Sequence, residues 1–136
     1  MQFDDPIGHA QALLQEGAAH EAAATLKQLI ESGRAGLLAR VTYAQALNAI
    51  DESVAAIDVA RETALLFPGV AAAALSLGEA LLAQGQLPTA IAELQRSLRI
   101  DPTLEAARFM LGCAWLEAGE PDNALREFAK LLLRTR

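Results

Sequence analysis

His20-Glu21-Ala22-Ala23-Ala24 opens like the HExxH helix of a zinc hydrolase. That chemistry needs two histidines one helical turn apart to hold the metal, with the glutamate between them acting on water. Ala24 stands where the second histidine would be, so the site cannot hold zinc, and His20 reads as a surface residue at a helix start. Cys113 is the only cysteine. A lone thiol rules out an intrachain disulfide and any multi-thiolate metal site. As a nucleophile it needs a base beside it, and neither His9 nor His20 lies in a neighbouring stretch, so an inert thiol is expected. His9 shares its register with Tyr43, Leu77 and Leu111, which predicts a packed or half-buried imidazole. The chain has no phosphate loop, no GxGxxG and no GxSxG elbow, and Asp51-Glu52 flanks a turn, with Ser53 or Asp51 expected as the N-cap of the helix that follows. No catalytic constellation, metal or cofactor is expected within these residues.

What remains is a pattern of elements. Ala71–Leu104 contains two short apolar stripes at helical spacing: Ala74, Leu77, Gly78 and Leu81, then Ala90, Ile91, Leu94 and Leu98. Gly85 can take the left-handed conformation that ends the first helix, and Pro88 suits the first turn of the second. Asp101-Pro102 closes the unit and predicts an N-cap followed by the next helix. Neither helix is long enough to stand alone in water, so each must pack on a neighbour.

The unit recurs every 34 residues without a gap. Small residues fall at Ala10, Ala44, Gly78 and Gly112, and again at Ala22, Ala56, Ala90 and Ala124. A large column runs Leu13, Leu47, Leu81, Trp115, and a turn column Gly17, Asp51, Gly85, Gly119. Pro68 and Pro102 form a proline column. The period divides the chain into repeats 3–36, 37–70, 71–104 and 105–136 within one domain, 1–136. The sequence resembles the tetratricopeptide repeat family, best at Leu111-Gly112, Trp115, Ala124 and Phe128, and nearly as well at Leu77-Gly78, Leu81, Ala90, Leu94 and Pro102. The second copy is weaker, with Tyr43-Ala44, Leu47, Ala56, Ala60 and Pro68, and the first is degenerate. The resemblance implies an all-α, right-handed superhelical solenoid of four helix-turn-helix repeats, eight helices in all. The expected spans are Ile7–Glu16, His20–Glu31, Leu37–Ile50, Ser53–Leu66, Ala72–Ala83, a helix from Pro88, Thr103–Ala118 and Pro121–Arg134, after a lead-in over Met1–Pro6.

Composition agrees. Apolar residues are 53% and aromatics 4%, so the core must be built from alanine, leucine and isoleucine, which suits close helix packing rather than a sheet. Net charge is −6, which disfavours nucleic acid and anionic membranes. Asp4, Asp5, Glu16, Glu21 and Glu31 against Lys27 and Arg34 give the first repeat −3, and the last repeat balances five acids with five bases. The N-terminus lacks the apolar run of a secretory signal and no stretch is long enough to span a bilayer, so a cytoplasmic protein is the expectation.

A second stripe lies roughly 100° around the first helix of each pair. Its columns are Ile7, Val41, Leu75, Phe109; Gln11, Gln45, Glu79, Cys113; and Leu14, Asn48, Leu82, Leu116. In the family these helices line the concave face, which usually holds a peptide or helix. Carried over, the columns form an apolar groove floor interrupted by Gln11, Gln45, Asn48 and Glu79. With no Lys or Arg in the first two columns, the carboxylate clamp used by some family members is not expected, and an apolar helix or extended segment fits better. The bland alternative is that these residues only close the helix-on-helix core. A self-associating scaffold is a further reading, with Leu131 and Leu133 as oligomer contacts and Leu132 facing the core. A third is the repeat domain of a longer, even enzymatic, protein. An RNA-reading repeat would need a basic column, which is missing.

Overall fold

The computed structural model describes residues 5–134; the first four residues of the expected lead-in, with Thr135 and Arg136, lie outside it. The described residues form eight helices and no strand. These are α1 (Pro6–Gln15), α2 (Ala19–Glu31), α3 (Leu37–Ala49), α4 (Ser53–Leu66), α5 (Ala71–Ala83), α6 (Leu87–Ile100), α7 (Glu105–Glu117) and α8 (Pro121–Arg134).

The first helix of every pair stops in the same way. Gly17, Asp51, Gly85 and Gly119 have φ of 85°, 63°, 80° and 79°. The left-handed residue turns the chain so that the next N–H reaches back into the helix. Ala18 N donates to Leu13 O at 2.8 Å, Glu52 N to Leu47 O at 2.8 Å, Gln86 N to Leu81 O at 3.0 Å and Glu120 N to Trp115 O at 2.8 Å. Each is the six-to-one bond of a Schellman closure, which satisfies a carbonyl that the helix end leaves orphaned. The turn column and the large column are therefore partners. At the other end of α1, Asp5 Oδ1 accepts from Gly8 N at 2.9 Å.

The chain forms two compact units, one ending at Phe67 and the other beginning at Pro68. In the first, α3 lies on α1 and α2. Its Ala39 and Ala46 join Ala10, Ala22, Ala23 and Leu26 in one core cluster, with Ile7, Leu13, Leu14 and Tyr43 packed against it. Thr42 and Thr63 are buried but satisfied, their hydroxyls donating to Leu38 O and Val59 O at 2.7 Å each. Arg40 pairs with Glu62 at 3.0 Å across α3 and α4.

In the second unit α7 lies on α5 and α6. Leu81 and Leu94 are fully buried. Ser97, also buried, donates to Ala71 O at 2.8 Å and ties α6 to α5. A Cβ on Gly78 would come within 2.7 Å of Leu94 Cδ2, and one on Gly112 within 2.6 Å of Phe128 Cζ. The small column is thus set by a large side chain on the second helix of each of these pairs. Arg108 on α7 meets Glu127 on α8 at 2.8 Å, both largely shielded, and also donates to Pro102 O at 3.0 Å.

Four local expectations differ from the fold. Helix α7 begins at Glu105 rather than Thr103, because Asp101 Oδ1 accepts from both Thr103 N at 2.9 Å and Thr103 Oγ1 at 2.6 Å. That carboxylate closes a local turn instead of capping the helix, and Leu104 holds the cap position. The N-cap of α4 is Glu52, since Asp51 is committed to the left-handed turn. His9 is exposed, although Tyr43 and Leu111 in its register are packed. Leu77 on α5, the remaining residue of this register, is buried as well, so His9 is the one member left to water. On α8, Leu131 is half-buried while Leu132 and Leu133 are exposed, so the core-facing position is Leu131. It shares its register with Thr63 and Ser97, the residues that face inward in the earlier pairs.

Candidate functional site

The second stripe is carried by α1 and α3 in the first unit and by α5 and α7 in the second. In the first unit Gln11 and Gln45 are exposed, and Ile7, Leu14, Val41 and Asn48 are half-buried. Ile7 and Leu14 also rest on the core cluster, so they serve packing as well as surface. Asn48 Oδ1 is buried without a donor among the described residues. A buried acceptor left unpaired costs free energy.

In the second unit the stripe is more varied. Leu75, Glu79 and Cys113 are half-buried. Leu82 is only 8% exposed, whereas Phe109 and Leu116 are 52% and 53% exposed. Phe109 is not loose, because its ring stands 5.9 Å from that of Phe128 on α8, tilted by 46°. Such edge contacts hold an aromatic side chain in place while leaving one face open. Burial pushes the Glu79 carboxyl above its ordinary value. Burial, and then the neighbouring Glu117 charge, pushes the Cys113 thiol up as well. A thiol held protonated is a poor nucleophile, and it packs as a small apolar group.

Among the described residues the stripe has no groups placed for acid–base or nucleophilic chemistry. No group of three His, Cys, Asp or Glu there could hold a metal ion. Among the described residues, no helix is long and apolar enough to cross a membrane. Several exposed apolar residues lie outside the stripe columns, among them Val54, Leu65, Leu66 and Leu125. Leu125 on α8 is 65% exposed although Ile57 and Ile91, at the same register, are buried. Its signal in the sequence was the column itself, which places an isoleucine twice where packing is tight.

Models of the tetratricopeptide repeat match residues 38–105 and 81–136. No match was found among curated proteins. Among solved structures, the chain is similar to TTC0263, a thermophilic TPR protein of Thermus thermophilus, with a TM-score of 0.87 at 17% identity over 96% of this chain and 73% of that one. It is also similar to MamA (41-end) from Desulfovibrio magneticus RS-1, with a TM-score of 0.78 at 20% identity over 95% and 73% of the two chains. The first TPR domain of human RPAP3 matches with a TM-score of 0.76 at 16% identity over 88% and 94%. At these identities the likeness is one of fold.

Proposed function

Because the chain belongs to the tetratricopeptide repeat family, we propose that it is a protein–protein interaction module that takes an apolar helix or extended peptide on the first helices of its pairs. The observation that carries this is Phe109, a large aromatic residue held against Phe128 yet more than half exposed, in a stripe with no lysine or arginine in its first two columns. Exposed apolar strips mark interaction sites, and aromatic anchors contribute most where partners bury them. Within the first unit Val41 holds the register of Phe109, with Gln11, Gln45 and Asn48 as polar interruptions of its stripe; within the second unit Leu75 shares that register, with Glu79 as the polar interruption. A segment with apolar side chains and a few N–H donors fits these groups, and a peptide carboxylate does not.

A photo-crosslinking residue placed at position 109 should trap a partner from the native source. The same residue at exposed Arg99 on α6 should not. Mapping the captured segment gives its chemistry. Equal capture at both positions, or a captured segment dominated by acidic residues, rejects this reading.

A further inference from the structure

Acids and bases are divided unevenly over the second unit. Helix α5 carries one charged residue, Glu79, and no base. Helix α7 carries Glu105, Arg108 and Glu117. Its one base is already committed, because Arg108 pairs with Glu127 at 2.8 Å and also donates to Pro102 O. The other described bases of the unit, Arg96, Arg99, Arg126, Lys130 and Arg134, all stand on α6 and α8. The first helices of this unit therefore present carboxylates with no uncommitted cation beside them on the same helix.

The position of Glu79 runs against solvation. Its column holds glutamine at positions 11 and 45, where the side chain is exposed, and glutamate at 79, where it is half-buried. A free chain would favour the reverse, since a carboxylate loses more than an amide when water is withdrawn. Among the described residues nothing donates to the Glu79 carboxylate or pairs with it. Burial pushes that carboxyl up, and no charge of the chain acts against the push. A second carboxylate borders the same strip: the charge of exposed Glu117 reaches Cys113, which holds the column of Glu79 on α7. Beside these acids lie apolar contacts. Leu75 stands one turn before Glu79, roughly 6 Å along α5 at about 1.5 Å per residue, and Phe109 on α7 is more than half exposed.

We infer that the strip on α5 and α7 selects a segment in which a lysine or arginine, flanked by apolar residues, sets its cation against Glu79. This rests on the strip being the binding surface proposed above, and it adds the residue that decides which apolar segments are taken. The spacing from Leu75 suits residues two apart in an extended segment or four apart in a helix. A partner with an apolar residue at that point would leave the carboxylate dehydrated and unpaired, so the pair discriminates between partners more than it adds affinity.

The probe is a random peptide library displayed on phage, panned on the full chain, on Glu79→Gln and on Phe109→Glu. Wild type should enrich apolar peptides that carry a lysine or arginine. Glu79→Gln should enrich apolar peptides without the basic residue, and Phe109→Glu should enrich neither. One peptide from the wild-type pool is then made with its basic residue and with norleucine in that place, and both are titrated by fluorescence anisotropy. The exchange should weaken binding to wild type at least about tenfold and leave binding to Glu79→Gln within about twofold. Glutamine keeps the shape of the side chain, and a melt followed by circular dichroism checks that the variant folds. Two results overturn the inference while leaving the strip in place: peptides that require Phe109 but show no basic preference, and an equal loss on both chains when norleucine replaces the base. Absence of any enrichment that depends on Phe109 rejects the strip itself, and the inference with it.

Discussion

Asn48 occupies the register held by leucine at positions 14, 82 and 116, and its Oδ1 is buried without a donor among the described residues. Replacing it by leucine removes an unpaired acceptor and restores the residue the other pairs use. Asn48→Leu should therefore raise stability by about 1 kcal/mol in a urea titration. A loss of stability would mean that the amide is engaged in the fold. Glu79 gives a second test, through pH. Burial holds its carboxyl above the ordinary value of 4.5, so the fold tolerates the protonated form better. The contribution to stability is full below the unfolded value and is lost as pH rises through the folded one. Glu79→Gln should thus gain over wild type at neutral pH and gain less at about pH 3.5, where the carboxyl is protonated in both states. A gain independent of pH would place the cause elsewhere. Neither environment could be read from residue type: Asn48 and Glu79 looked like polar breaks in a strip, and only the fold shows how little water reaches them.

At the scale of elements, the period was legible because each column has one steric job. The four turn positions all adopt positive φ, three of them filled by glycine. Asp51 is the exception, and a left-handed non-glycine residue costs about 1 kcal/mol or somewhat less for aspartate. Asp51→Gly should recover about 0.5–1 kcal/mol, measured by thermal melting. The small columns were equally legible, but their partners were not. Gly78 faces Leu94 and Gly112 faces Phe128, while the same register pairs Ala44 with Ala60. The exchange of size is not uniform, because the first pair holds Ala10 and Leu26 at this register with both fully buried. Gly78→Ala should destabilise by about 1–3 kcal/mol, since its Cβ would lie 2.7 Å from Leu94 Cδ2. Leu94→Ala alone opens a cavity. The double variant copies the Ala44/Ala60 solution and should lose less than the sum of the two. Strict additivity in a denaturation cycle would show that the two sites are not coupled. The start of α7 was misjudged for a local reason: Asp101 had two ways to satisfy its carboxylate, and spacing cannot choose between a cap and a turn.

On the scale of the molecule, a helical period says which residues share a face but not whether water or another helix covers it. The second stripe shows the difference. Leu82 and Leu116 hold equivalent positions, and only Leu82 has a helix pair stacked after it within its unit. The end of α8 shows it again, with Leu131 rather than Leu132 turned inward. The decisive comparison is between Leu75 and Phe109, which share a column but not an environment. Phe109 is 52% exposed and gives up mainly its ring contact with Phe128. Phe109→Glu should cost about 0.5–1.5 kcal/mol and leave helicity intact. Leu75 is half-buried, so Leu75→Glu places a charge where water is partly excluded and should lower the melting temperature more. If the strip is a binding surface, Phe109→Glu should still abolish capture of an apolar partner, because the partner would bury the new carboxylate unpaired. Loss of binding with a nearly unchanged melt is the signature of a surface residue that works through its partner. A cooperative collapse on Phe109→Glu would instead assign the aromatic pair to the core of the second unit and leave the strip without its anchor.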